Sequence, residues 1–210
     1  MSTTTVEYFF SFRSPYSYLS GPRAFALPER YDVEIVFRGV TPMAMRGQSV
    51  PMSKRLHTLR DTKREADRLG MSFGRIHDPI GEGAVRCLRL SEHAKDMGRV
   101  EQFVLTASRA IWAEGVEVAS DAGMRSVCER AGLDWAGCAA ALQDESLQAR
   151  VDANTQRLLD LGHWGVPVFA LGDELFWGQD RIEDLERRLR PRAAQSGAVA
   201  GGPPPSERCS

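Results

Sequence analysis

Cysteine is scarce in this 210-residue chain, and its four examples, Cys87, Cys128, Cys138 and Cys209, form no C-x-x-C pair and no cluster with histidine at zinc-ligand spacing. A dithiol motif and a zinc knuckle are therefore excluded, and scattered reduced thiols are expected instead. Long apolar runs are also lacking, since no stretch reaches the roughly 18 residues needed to span a bilayer. Neither sign of charge is in excess: 27 Lys and Arg against 28 Asp and Glu give a net charge of −1. No nucleic-acid footprint follows from such a balance, so small molecules or proteins are the expected partners. The opening Met-Ser-Thr-Thr-Thr lacks the basic and apolar regions of a signal peptide, from which a cytoplasmic location is expected. What is left, 42 % apolar and 26 % charged residues, suits a globular unit with a substantial core.

The pattern along the chain is β, then helical, then β again. Residues 4–12 are apolar on both faces and read as a central strand, residues 15–30 as a helix, and Val33–Phe37 as a second strand. A strand, helix and strand within so short a span imply a parallel pair with a right-handed crossover. Residues 39–53, rich in Gly, Pro and Met, read as a loop. Helical spacing then dominates to Gly162, with Val100, Phe103, Val104, Ala107 and Ile111 on one stripe and Met124, Val127, Cys128 and Ala131 on the next, after Ser120 as N-cap. On the last long helix, about 146–161, the apolar stripe includes Asn154, whose amide requires buried partners. Two short apolar runs around Gly172-Asp173 read as a hairpin, and residues 180–189 as a final amphipathic helix. This order predicts an α/β thioredoxin-like fold, βαβ followed by ββα, with a large all-helical insertion. The expected boundaries are 1–40 with 163–191 for the thioredoxin-like part, 41–162 for the insertion, and 192–210 as a disordered tail carrying Cys209.

Three constellations can carry chemistry. In the first, Ser14-Pro15-Tyr16-Ser17, a strand passes into a helix at a Ser-Pro, where a hydroxyl caps the orphan amides and the helix end favours an anion. Two hydroxyls stand where a thioredoxin-type layout would need a dithiol, so disulfide exchange by the chain alone is excluded. Ser14 has no adjacent base and is not itself a nucleophile, but its O–H can donate to a thiolate. On the local sequence alone a plain helix cap is the favoured reading. The second is Gly165-Val166-Pro167, a proline at the start of a strand; in thioredoxin-like folds such a proline is cis and leaves the preceding backbone free to pair with an extended thiol peptide. The third is Trp177-Gly178-Gln179-Asp180, where Asp180 is either an N-cap or, with Gln179, a holder of an amino-acid head group.

With their order and spacing, these motifs resemble the kappa-class glutathione transferase and 2-hydroxychromene-2-carboxylate isomerase family of DsbA-like proteins. The resemblance spans residues 5–190 and includes the opening Phe-Phe-Ser-Phe-Arg-Ser-Pro-Tyr-Ser-Tyr-Leu, the run from Asn154 to Phe169, and Gly172 to Ile182. It implies glutathione as cofactor and a homodimer. Ser14 would hold the glutathione sulfur, Val166 would pair with its backbone beside Pro167, and Gln179 and Asp180 would take its γ-glutamyl end. The implied reaction is reversible addition of a thiolate to a conjugated 2-oxo acid, which permits rotation about a former double bond. Glutathione transfer or peroxide reduction is the alternative activity, and a glutathione-free binding module the alternative class.

Departures from the family pattern fall near the substrate. Ser11 stands where isomerases of this group commonly carry Asp, and Arg38-Gly-Val-Thr-Pro-Met-Ala-Met-Arg-Gly replaces a lysine-containing segment. Arg38 or Arg46 would then take the place of that lysine in holding a substrate carboxylate, with Tyr16 nearby. The Arg60-Asp61-x-x-Arg64 run and Asp78-Pro79 also resemble the family's helical part, although such a charged run ordinarily marks a solvated helix face. Of the four histidines only His163, closest to Pro167, is a candidate for function.

Overall fold

The β-branched and aromatic residues at the start of the chain form the centre of a four-stranded sheet. The computed structural model describes residues 4–48 and 50–192, within which strand β1 is Thr4–Phe10 and β2 is Val33–Gly39. They pair in parallel, Tyr8 opposite Phe37 and Phe9 opposite Arg38. Strand β3, Val168–Leu171, runs antiparallel to β1, and β4, Glu174–Trp177, antiparallel to β3, giving the order β2-β1-β3-β4. Crossing from β1 to β2 are α1, Pro15–Phe25, and the short α2, Leu27–Arg30. Between β2 and β3 lie α3 (Met52–Arg68), α4 (Glu82–Asp96), α5 (Val100–Arg109), α6 (Asp121–Arg130), α7 (Trp135–Ala141) and α8 (Glu145–Asp160). After β4 comes α9, Ile182–Glu186. This is the thioredoxin-like architecture with an insertion of helices that the sequence predicts.

Alternation in β1 divides the core in two. Val6, Tyr8 and Phe10 face α1 and join one continuous cluster that runs through Phe37 and Phe169 into Phe103, Ile111 and Leu147. Tyr8 stacks on Phe169 with centroids 4.7 Å apart, and its hydroxyl is hydrogen bonded to Ser20 at 2.6 Å. On the opposite face Phe9 packs with Val40, Leu158, Val168 and Ala170. Leu158 brings α8 onto the sheet, so this helix covers the second face rather than belonging only to the insertion. The helical part and the sheet share one core, and the boundary expected at residue 162 is not a break in packing.

Several element ends differ from the sequence expectations. The helix of residues 15–30 is broken at Ala26, the loop of 39–53 holds a 3-10 turn at Met43–Arg46, and α5 widens into a π-turn at Ala110–Glu114. Order continues beyond Pro191: the Arg192 amide donates to the Arg30 carbonyl at 2.8 Å. The rest of the expected tail, with Cys209, lies outside the described residues. Cys87, Cys128 and Cys138 are free and buried, and burial pushes the Cys87 thiol above its ordinary pKa. Ser120 caps α6 as expected, accepting from Gly123 at 3.1 Å.

The buried amide of Asn154 has the partners it requires. Its Nδ2 donates to Glu92 at 2.8 Å, and its Oδ1 accepts from Arg38 at 3.1 Å. Glu92, 1 % exposed, also accepts from Lys95 and Arg150, while Arg38 and Arg157 both pair with Glu7 on β1. A line of charge therefore joins α4, α8, β1 and β2. Burial pushes the Glu7 carboxyl up, but Arg157 and Arg38 outweigh it and hold the pKa below 4.5. A carboxyl depressed in the folded state adds stability above its unfolded value that is lost as pH falls through the folded one. Replacing Glu7 with Gln is expected to lower stability at pH 7 and to flatten the loss below about pH 4.5. Urea melts of both proteins from pH 7 to pH 3 check this; parallel curves would mean that the Glu7 pairs contribute nothing.

Candidate active site

The site forms where the C-terminal end of β1 turns into α1. Ser14, extended at φ −103° and ψ 114°, is the N-cap, and its Oγ accepts the Ser17 amide at 3.2 Å. Pro15 occupies the first helical position, where a missing N–H costs nothing. No acidic residue lies in the first turn of α1, so the partial positive charge of this helix end is not offset from within the helix. Ser17 is buried and its Oγ receives the Ser11 amide at 3.4 Å, which withdraws the second hydroxyl from the surface.

Opposite Ser14 stands the loop before β3. The Val166–Pro167 peptide is cis, and the Ser14 O–H donates to the Val166 carbonyl at 3.4 Å. This is long for an O–H···O bond and easily exchanged for a better acceptor. Among the described residues the Val166 N–H has no hydrogen-bond partner. The Gly178 amide donates to the Pro167 carbonyl at 3.0 Å, tying this loop to the turn that carries Gln179 and Asp180. Gly178 has φ 119°, and a Cβ there would come within 2.4 Å of Asp180 Oδ1, so the turn requires glycine. Ser14, Val166, Pro167 and the 178–180 turn, three motifs far apart in sequence, thus share one locality.

The side chains of that turn separate. Gln179 is buried, with its carbonyl oxygen taken by Arg23 and its Nε2 donating to Glu65 at 3.3 Å. Its carboxamide is therefore committed within the protein and not presented to a head group, contrary to the sequence expectation. Asp180 keeps an exposed carboxylate, 3.3 Å from Arg181. The Tyr16 hydroxyl donates to Asp61 at 2.7 Å; burial, then Asp61, Glu65 and Asp180, hold the phenol protonated well above its ordinary pKa. Asp61 and Glu65 of α3 thus pair with candidate site residues, which sequence reading underestimates, because a charged run on a helix resembles a solvated face.

The two candidate arginines also part. Arg38 lies on the face covered by α8, held by Glu7 and Asn154, and is not available to a ligand beside Ser14. Arg46 donates to the Thr41 carbonyl at 3.1 Å and to the Trp164 carbonyl at 2.7 Å, beside the cis-proline loop. Among the described residues no carboxylate pairs with it, and burial lowers its pKa. His163 packs edge-on against Trp177, centroids 4.8 Å apart, and Trp164 lies 5.6 Å from the same ring. Gly165 lies so close under Trp177 that a Cβ would meet the indole at 3.0 Å. No group of three metal-ligating side chains occurs among the described residues.

Comparison with known proteins places the chain in a family. Residues 5–190 match the model of the DSBA-like thioredoxin domain. The chain belongs to that family. It is 25 % identical over 195 residues to the 2-hydroxychromene-2-carboxylate isomerase of Pseudomonas putida, covering 88 % of this chain and 93 % of that one. The isomerase of the same name from Sphingobium xenophagum is also 25 % identical, with 89 % and 98 % covered. A solved 2-hydroxychromene-2-carboxylate isomerase superposes with a TM-score of 0.75 at 24 % identity, covering 88 % of this chain and 93 % of that one. No helix among the described residues is long and apolar enough to cross a membrane.

Because Ser14 caps α1, Ser14→Ala is expected to cost about 0.5–2 kcal/mol of stability whatever ligand the site takes. Denaturant melts check this, and a variant as stable as the parent would remove the capping role.

Proposed function

We propose that this chain is a glutathione-dependent isomerase of the 2-hydroxychromene-2-carboxylate type, acting on a conjugated 2-oxo acid. The observation that carries the reading is the free half of the Ser14 hydroxyl. Its oxygen is used by the Ser17 amide, while among the described residues its proton makes only the 3.4 Å contact with Val166. A thiolate would be a stronger acceptor for that proton than a neutral carbonyl. The relatives named as isomerases supply the reaction class.

The residues present fit glutathione. Ser14 and the α1 terminus would face its sulfur. The Val166 N–H, unpaired among the described residues, and the Val166 carbonyl that Ser14 would release would face its extended backbone, and Asp180 the ammonium of its γ-glutamyl end. When bound, glutathione supplies a thiol nucleophile whose reversible addition to a conjugated double bond permits rotation. The chain's part is electrostatic. Ser14 and the helix dipole favour the anion over the thiol, lowering the pKa of a thiol held there. Arg46, half-buried and bonded among the described residues to carbonyls alone, offers a charge to the substrate carboxylate. Tyr16 stays protonated and fixes α1 to Asp61, so it orients the site and moves no proton near neutral pH.

Two experiments test the reading. Calorimetric titration with reduced glutathione is expected to give saturable binding, weakened in Asp180→Ala; absence of binding at millimolar ligand would refute it. Isomerisation of 2-hydroxychromene-2-carboxylate, followed by absorbance, should require glutathione. In Arg46→Gln the KM should rise roughly 10- to 100-fold, the size of one charge-assisted bond, whereas an unchanged KM would remove Arg46 from substrate binding.

A further inference from the structure

The three residues that end in Ser14 are each gripped from the helical part of the molecule or from the loop opposite. The Phe12 carbonyl accepts from Trp112 Nε1 at 3.1 Å. Arg13 makes a two-pronged pair with Asp78, Nε to Oδ1 and Nη2 to Oδ2, both 2.7 Å, with the arginine side chain 19 % exposed. Ser14 itself meets Val166. Trp112 lies in the π-turn at the end of α5, stacked on Phe73 with ring planes 12° apart.

The π-turn and the Asp78 loop hold one another. A helix leaves its last carbonyls without intrahelical partners, and here the carbonyls of Ile111 and Trp112 accept from His77 and Gly74, both at 3.1 Å. Asp78 follows directly, and its Oδ1 also accepts the Ile80 amide at 3.2 Å, which fixes the carboxylate before it meets Arg13. Burial acts to raise the Asp78 pKa, but Arg13 outweighs it and the net value is depressed, so the carboxylate is charged at neutral pH.

We propose that Asp78 and Trp112 are positioning residues that act through Arg13 and Phe12 to hold Ser14 against the cis-proline loop. Among the described residues neither is hydrogen bonded to Ser14. Together they fix the two residues before it, and the helix end that faces a bound anion is set by that turn. The helical insertion is thereby part of the active site's geometry and not only a wall around it. The consequence for turnover rests on the Ser14 reading proposed above, but the placement can be tested without glutathione.

Ser14→Cys puts a thiol at the helix end, where its pKa reports the local geometry. The rate of iodoacetamide labelling at position 14, read by peptide mass spectrometry across pH, gives that pKa. Adding Trp112→Phe, which keeps a packed ring but removes the donor to Phe12, is expected to raise it by about 0.3–1 unit. Adding Asp78→Asn is expected to raise it similarly. Charge alone predicts the reverse, since removing Asp78 leaves Arg13 unpaired beside the thiol and would lower its pKa. Reversal of the pair, Arg13→Asp with Asp78→Arg, should restore the value at least partly if the pair acts by position. An unchanged or lowered pKa in folded Trp112→Phe, or a lowered one in Asp78→Asn, overturns the proposal. Should Asp78→Asn fail to fold, Trp112→Phe decides alone.

Discussion

The candidate site depends on one hydroxyl placed between a helix end and the loop opposite it. Ser14 caps α1 in the turn that follows β1 and meets the carbonyl of Val166, so the helix and the cis-proline loop meet at a single side chain just beyond the strand. Its oxygen has a backbone amide to satisfy, and among the described residues its proton has only a long contact. A cysteine at this position would offer a weaker hydrogen-bond donor. Serine keeps the cap and presents a proton, which suits stabilising a thiolate brought from outside and does not suit making one.

Charge is distributed around that point by sign. The α1 terminus and Arg46 supply positive potential near the cis-proline loop, while Asp61, Glu65 and Asp180 gather on the side of Tyr16. Arg13 would add to the first group, but Asp78 neutralises it. Arg38 is likewise neutralised, by Glu7 on the far face of the sheet. The acidic side is itself partly paired, with Arg68 2.8 Å from Glu65 and Arg181 3.3 Å from Asp180. For Arg13 and Arg38 the pairing is long-range, because each acid comes from a different element than its arginine.

Long-range pairing also explains what is legible in the sequence and what is not. The strands, α1 and the hairpin follow from periodicity and from turn residues, which are local properties. Ser14, Val166 and Pro167 are legible because each sits at an element junction and together they match a family pattern. Asp61 is hidden because α3 carries charges on most of its surface, and nothing in sequence links it to Tyr16. The choice between Arg38 and Arg46 requires knowing which sheet face α8 covers. Gln179 misleads for a related reason: its burial depends on Arg23 and Glu65, which are 156 and 114 residues away. The Arg13–Asp78 pair spans 65 residues and shows in the sequence only as an Asp-Pro dipeptide.

The most direct measurement is the ultraviolet absorbance of a thiolate in the complex with reduced glutathione, recorded across pH for the parent protein and for Ser14→Ala. If Ser14 holds a thiolate, the absorbance in the parent appears well below the pH at which free glutathione ionises, and in Ser14→Ala it moves upward by about one unit while glutathione still binds. An ionisation in the parent no lower than that of free glutathione, or one unmoved by the substitution, would contradict a thiolate-holding role for Ser14.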